Sequence, residues 1–173
     1  MDEPPDTSAA CPVRGLPSVH GESPEVVILG SFPSRQSLQK QEYYGNPRNH
    51  FWQIMEVLFS LDRHLPYRVR TSRLMDHRIV LWDVICTCSR TGSADARIQN
   101  PVFNDLAGFL VAFPSLHLVA LNGSSAGRYY HQLKIPASVP AVVLPSTSPA
   151  NTRYSLDEKI RSWGIIRPQA STI

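Results

Sequence analysis

An α/β fold with a parallel sheet covered on both faces is the architecture this sequence predicts. Three observations point to it. Short, largely apolar runs at 26–29, 79–84, 117–121 and 139–144 alternate with stretches of helical periodicity, the pattern of strands buried on both sides and joined by crossover helices. Three of those runs open into polar loops: Gly30 to Asn49, Asn122-Gly123, and Ser146 to Asn151. At 173 residues the chain is long enough for one domain with a proper core. Parallel strands all end at one edge of a sheet, so the three loops converge there and form one site rather than three.

Taken in order, residues 1–23 form a loose N-terminal arm, because Pro4, Pro5, Pro12 and Pro17 interrupt regular structure. A single domain occupies 24–173. After the first strand comes a break at Gly30-Ser31-Phe32-Pro33-Ser34, then a polar segment with Tyr43-Tyr44, then a helix from about 49 to 60. Phe51, Met55, Leu58 and Phe59 share one face of that helix. A polar helix spans 67–76 before the second strand. Residues 86–103 are rich in Ser, Gly, Asn and Asp and too long for a plain connector. A helix capped by Asn104 leads to the third strand, and Asn122-Gly123-Ser124 turns that strand into a helix ending near Leu133. The last helix opens at Ser155 with Glu158 three residues on, a capping box, and stops at Trp163-Gly164.

Composition narrows the classes. The net charge of +3 is built unevenly, since fourteen of the 17 basic residues are Arg, the side chain suited to bidentate phosphate contacts. Three cysteines, Cys11, Cys86 and Cys88, fit neither a disulfide framework nor a zinc ribbon. The acidic, Pro-rich start is unlike a signal peptide and no apolar run would span a bilayer, so a cytoplasmic protein is expected. The six histidines have no ligand spacing, and neither a metal nor another cofactor is expected. The absence of a Walker-type glycine loop or an acidic cluster for Mg²⁺ weakens a small-nucleotide hydrolase.

The candidate site residues fall in the three loops. Gly30 and Ser31 offer a backbone pocket. Phe32, Tyr43 and Tyr44 offer flat faces, or for the tyrosines a hydrophobic lid. The amide of Asn49 both donates and accepts, in a position that also suits a helix cap. Asn122 is placed to read a base edge or merely to start a helix. Ser146, Thr147 and Ser148, followed by Asn151 and Arg153, suit a phosphodiester or form a Ser-rich turn. Asp83 and Asp95 are acids without a partner carboxylate at a readable spacing.

In this order the blocks GSFPSRQSLQKQEYYGNPRNHFW, LWDV, GSADARI, NPVFND, LNGSSA and LPSTSPAN resemble the uracil-DNA glycosylase superfamily, and within it the branch of hypoxanthine (deoxyinosine) DNA glycosylases. The resemblance runs from about Gly15 to Trp163, and the first block is its specific part. It implies a three-layer α/β/α sandwich around a four-stranded parallel sheet. The implied activity is a monofunctional, monomeric, cofactor-free enzyme of base-excision repair that flips a deaminated base out of DNA and hydrolyses its N-glycosidic bond. Uracil-specific and mismatch-specific relatives carry Asp or Asn near the start of the first motif, where this chain has Gly30-Ser31-Phe32-Pro33. They often carry His or Asn opening the last motif, where it has Leu144-Pro145-Ser146. Those departures argue against efficient uracil removal. In the hypoxanthine branch the catalytic amide lies further along, and Asn49 matches it.

The roles implied are these. Asn49 holds the attacking water against C1′. Phe32 or Tyr44 stacks on the flipped purine, while Gly30, Ser31 and Asn122 read its edge and stabilise the departing base. Ser34, Arg48, Ser146, Thr147, Ser148, Asn151 and Arg153 contact the DNA. A lyase would need an amine, and of Lys40, Lys134 and Lys159 only Lys40 lies near these motifs, so no lyase activity is expected. The competing readings are a uracil or xanthine glycosylase on the same scaffold, and a non-catalytic module that binds damaged DNA.

Overall fold

A computed structural model describes residues 12–136 and 138–167. In chain order it runs β1 (Val13–Arg14), β2 (Val26–Gly30), α1 (Arg35–Lys40), α2 (Phe51–Phe59), α3 (Tyr67–Asp76) and β3 (Ile79–Asp83). There follow β4 (Ile85–Ser89), β5 (Gln99–Phe103), α4 (Leu106–Ala112), β6 (Leu118–Asn122), α5 (Ser124–Gln132), β7 (Ala141–Leu144) and α6 (Leu156–Trp163).

The four apolar runs make one parallel sheet in the order β3-β2-β6-β7. Alternation along the strands sorts the core into two halves. Val26, Ile28, Ile79, Leu81 and Ala120 face α2, α3 and α6, with Phe51, Met55, Leu74 and Trp163 packed on them. Val27, Leu29, Val80, Val119 and Leu121 face α4 and α5, with Leu106, Leu110, Ala126 and Tyr130. Three layers result, as expected, and β2, central and buried along its whole length, is their axis.

Several details differ from the sequence reading. Residues 86–103 are an antiparallel hairpin, β4 with β5, joined by β1 in a second, three-stranded sheet. Pro101 lies in β5, an edge strand of that sheet, where a missing N–H is tolerated. The arm is not loose over its described part. Gly15 donates to Cys86 O, Val19 and Leu81 exchange backbone hydrogen bonds, and Leu16 is buried; residues 1–11 lie outside the described residues. The polar segment after β2 contains α1, capped by Ser34. The cap of α4 is Asp105, not Asn104, whose side chain instead donates to Asp83 O at 2.8 Å. The capping box at Ser155 and Glu158 is present.

Candidate active site

In chain order the parallel strands run second, first, third, fourth across the sheet, so the connections leave β2 and β6 in opposite directions. Beyond the carboxyl ends of two such strands the loops diverge and leave a crevice, where open α/β sheets bind ligands. Gly30 ends β2 directly beside Asp83 of β3, and Asn122 ends β6 beside Leu144 of β7. Glycine at 30 is a matter of space: a Cβ there would collide with Asp83 Oδ1. Gly123 has a left-handed φ of 93°, and a Cβ would meet Ser146 Cβ at 2.8 Å. The loops after β6 and β7 therefore touch.

The loop after β2 returns to the same edge. Asn49 donates its N–H to Asn46 O at 2.9 Å, and its Oδ1 accepts from Phe51 N–H at 2.9 Å, a turn that fixes the amide at the entrance of α2. An amide oxygen has two lone pairs, so among the described residues Oδ1 keeps one acceptor site. His50 N–H donates to Thr147 O at 3.0 Å, tying this loop to the one after β7. Tyr44, at φ 56°, stacks on Phe51 with centroids 3.8 Å apart, and its hydroxyl lies near the Asn122 amide. Burial first, and then Asp83, push the Tyr44 phenol up, so it stays protonated. Tyr43 is an anchor rather than a lid: it is buried, and its hydroxyl reaches Leu16 O and Pro17 O at 3.1 and 3.0 Å.

The hairpin brings the two acids together at this edge. Asp95 Oδ2 accepts from Ser31 Oγ at 2.6 Å. Asp83 is 4% exposed, and its Oδ2 has no hydrogen-bond partner among the described residues. Desolvation raises its pKa from the usual carboxylate range to about 8; the Asp95 charge adds to the rise and Arg90 opposes it. Arg90 lies over the Phe32 ring at 4.9 Å and donates to Pro33 O, while its Nη1 is buried without a partner among the described residues. An open cavity of about 390 Å³ runs along the hairpin between Arg90, Arg97 and Gln99.

The remaining expected residues divide. Arg48 and Arg153 are exposed, as a DNA contact requires. Thr147 is not placed as a phosphate ligand: it is fully buried, its N–H donates to Asn122 Oδ1, and its Oγ1 accepts from Asn122 Nδ2, each at 2.9 Å. The amide of Asn122 is thus engaged at both ends by Thr147. Ser34 Oγ caps α1, Ser146 Oγ and Ser148 Oγ accept from backbone N–H groups of their own loop, and Asn151 Nδ2 donates to Ser146 O at 3.0 Å. Phe32 is buried, so its face is turned to Arg90 rather than open to solvent. Lys159, not Lys40, is the lysine of this region. It is fully buried and bridges His50 Nδ1 and Asn151 O at 3.3 and 3.0 Å, whereas Lys40 binds Gly45 O. Burial holds the Lys159 pKa below that of a free lysine. The signal for Lys159 was faint, since it sits among charged neighbours in a helix that reads as solvated.

Residues 17–165 match the uracil DNA glycosylase superfamily. The chain belongs to that superfamily. Its similarity extends to two curated glycosylases. A hypoxanthine DNA glycosylase of Methanosarcina acetivorans is 41% identical over 155 residues, 89% of this chain and 98% of the relative. Another, from Methanosarcina barkeri, is 34% identical over 151 residues, 87% of this chain and 94% of the relative. The solution NMR structure of a protein from Methanosarcina acetivorans, described as a candidate uracil DNA glycosylase, superposes with a TM-score of 0.77 at 37% identity, covering 90% of this chain and 98% of that one. For this member of the superfamily the family likeness and the crevice agree: the segments that carry the resemblance are those that meet at the carboxyl edge. Among the described residues no helix is long and apolar enough to cross a membrane.

Proposed function

We infer that this chain is a hypoxanthine DNA glycosylase, a monofunctional enzyme that hydrolyses the bond between a flipped hypoxanthine and its deoxyribose. The observation that carries the reading is Asn49: an amide fixed by Phe51 N–H at the crevice, with acceptor capacity left on Oδ1. That oxygen is suited to hold a water molecule for attack on C1′, which is positioning rather than strong base catalysis. The similarity to two curated hypoxanthine DNA glycosylases supports the choice of base.

Around that water, the half-buried ring of Tyr44, backed by the buried Phe51, borders the place a base would take, and Asn122 offers its edge once Tyr44 gives way. Arg48 and Arg153, with the Ser146 and Ser148 loop, are the phosphate side of the reading. A covalent lyase step is disfavoured because the Lys159 amine is buried and held by two acceptors. The reading further takes the enzyme to be a cytoplasmic monomer acting on DNA, without a cofactor.

The test is direct. Duplex oligonucleotides carrying one hypoxanthine, uracil or xanthine are incubated with the protein, then treated with alkali. Strand scission led by hypoxanthine is expected, with no adduct trapped by borohydride. Scission led by uracil would overturn the base assignment, and binding without scission of any lesion would replace the enzyme by a damage-binding module.

A further inference from the structure

Resting on the reading above, we propose that Asp83 is a catalytic residue: a buried carboxylic acid that donates its proton to N7 of the flipped hypoxanthine as the C1′–N9 bond breaks.

Four observations carry this. Asp83 ends β3 at the same edge as Gly30 and Asn122, beside the crevice. Its carboxyl is packed over Gly30 so closely that any side chain at that position would displace it, and the would-be Cβ is also 3.9 Å from the Tyr44 hydroxyl. The Tyr44 hydroxyl thus lies near both the acid and the Asn122 amide, and a base edge that takes its place meets Asn122 and Asp83 together. Finally, the carboxyl is 4% exposed, with Oδ2 unpartnered among the described residues. Buried polar atoms are ordinarily paired, so an orphan at a ligand crevice calls for a partner that arrives with the ligand.

The surroundings separate the two acids. Asp95 Oδ2 receives the Ser31 hydroxyl, whereas Asp83 Oδ2 has no partner among the described residues. Asp83 faces Asp95 and Arg90 from the hairpin side, and Tyr43, Tyr44 and Tyr67 from the loop and α3, with no ion pair among the described residues. Desolvation is the largest influence on it, and a pKa of about 8 leaves it a neutral acid at pH 7. A carboxyl desolvated in this way keeps its proton in neutral solution and can donate it.

The chemistry balances. The Asp83 O–H proton moves to N7, the C1′–N9 electron pair goes to the purine, and hypoxanthine leaves as a neutral tautomer. The water held by Asn49 forms the new C1′–O bond and loses one proton to solvent, and solvent returns one to Asp83. A proton on N7 neutralises the charge that departure through N9 would otherwise leave on the purine.

The experiment compares single-turnover release from duplexes carrying hypoxanthine or 7-deazahypoxanthine, which lacks N7, between pH 5.5 and 9.5. With the wild-type enzyme, the hypoxanthine rate should fall about tenfold per pH unit above Asp83's pKa, and the 7-deaza base should leave at least ~10²-fold more slowly with no such limb. Asp83→Asn should be slow and pH-independent on hypoxanthine. Equal wild-type rates on the two bases, or an Asp83→Asn variant that keeps the wild-type rate and alkaline limb, would overturn the assignment. The wild-type comparison needs no folded variant. Absence of hypoxanthine release from the wild type would defeat the function itself, an outcome distinct from equal release of both bases.

Discussion

The loop over residues 31–50, which follows β2, and the loop over 145–151, which follows β7, are both rich in Ser, Asn and Pro and both reach the carboxyl edge of the sheet. They use their polar groups differently. In the second, Thr147, Ser146, Ser148 and Asn151 bond to one another's backbone, to Asn122 or to Lys159. Beside the first, the Asn49 oxygen keeps a free acceptor site and Asp83 Oδ2 has no partner among the described residues. The comparison teaches where to look for chemistry: a loop whose polar groups hold its own backbone is a frame, and one that leaves an amide oxygen and a neighbouring acid unengaged at a crevice is a site.

The largest expected effect tests the open side. Asn49→Ala should lower single-turnover base release by about 10²–10⁴-fold while changing DNA affinity by less than about threefold, measured on the same duplex by fluorescence anisotropy. Equal loss of both would make Asn49 part of the frame.

Next comes the frame itself. Asn122→Ala removes both partners of the fully buried Thr147 N–H and Oγ1. Each unsatisfied group costs about 1–3 kcal/mol. Thermal unfolding should therefore shift down by several degrees, at roughly 2–4 °C per kcal/mol for a chain of this size. An unchanged melting temperature would erase the distinction between the loops.

A third measurement sharpens the comparison through pH. Asp83 has its folded pKa raised to about 8, so between about pH 4 and 8 the folded state holds a proton that the unfolded state has lost. Stability from this group is complete below the unfolded pKa and is lost as pH rises to about 8, by at most about 1.4 kcal/mol per pH unit. Asp83→Asn should abolish that slope in denaturant titrations, becoming relatively more stable than wild type as pH rises. A slope identical in both proteins would place the charge elsewhere.

The smallest effect belongs to the rim. Arg153 is exposed, beside Tyr154, and Arg153→Ala should weaken DNA binding modestly and lower the salt slope by about 1. Binding titrations at several salt concentrations read this, and an unaltered slope would remove Arg153 from the DNA contact.

Much of the fold was legible because the sheet is buried on both faces, which leaves wholly apolar runs that propensity and period both read as strands. The hairpin was not, because Ile85-Cys86-Thr87-Cys88-Ser89 is short and half polar, and Pro101 argued against its partner strand. Helix α1 was missed since Arg35-Gln36-Ser37-Leu38-Gln39-Lys40 carries one large apolar residue. In the site, Asn49 and Tyr44 stood out within a specific block. The pairing of Asp83 with Asp95 did not, because a tertiary hairpin rather than local spacing brings them close. Thr147 looked like surface because Ser and Thr runs usually are, and only its contacts with Asn122 and His50 reveal an interior role.

The tether from Tyr43 to Leu16 and Pro17 bears on how small a working enzyme can be made. A sheet and its covering helices could be cut out from Val26 onward without touching a strand of the four. Such a fragment would lack both carbonyls that receive the Tyr43 hydroxyl, and Tyr43 adjoins Tyr44 at the crevice. The working unit is therefore longer than the four-stranded sheet and its helices, and its boundary lies before Leu16.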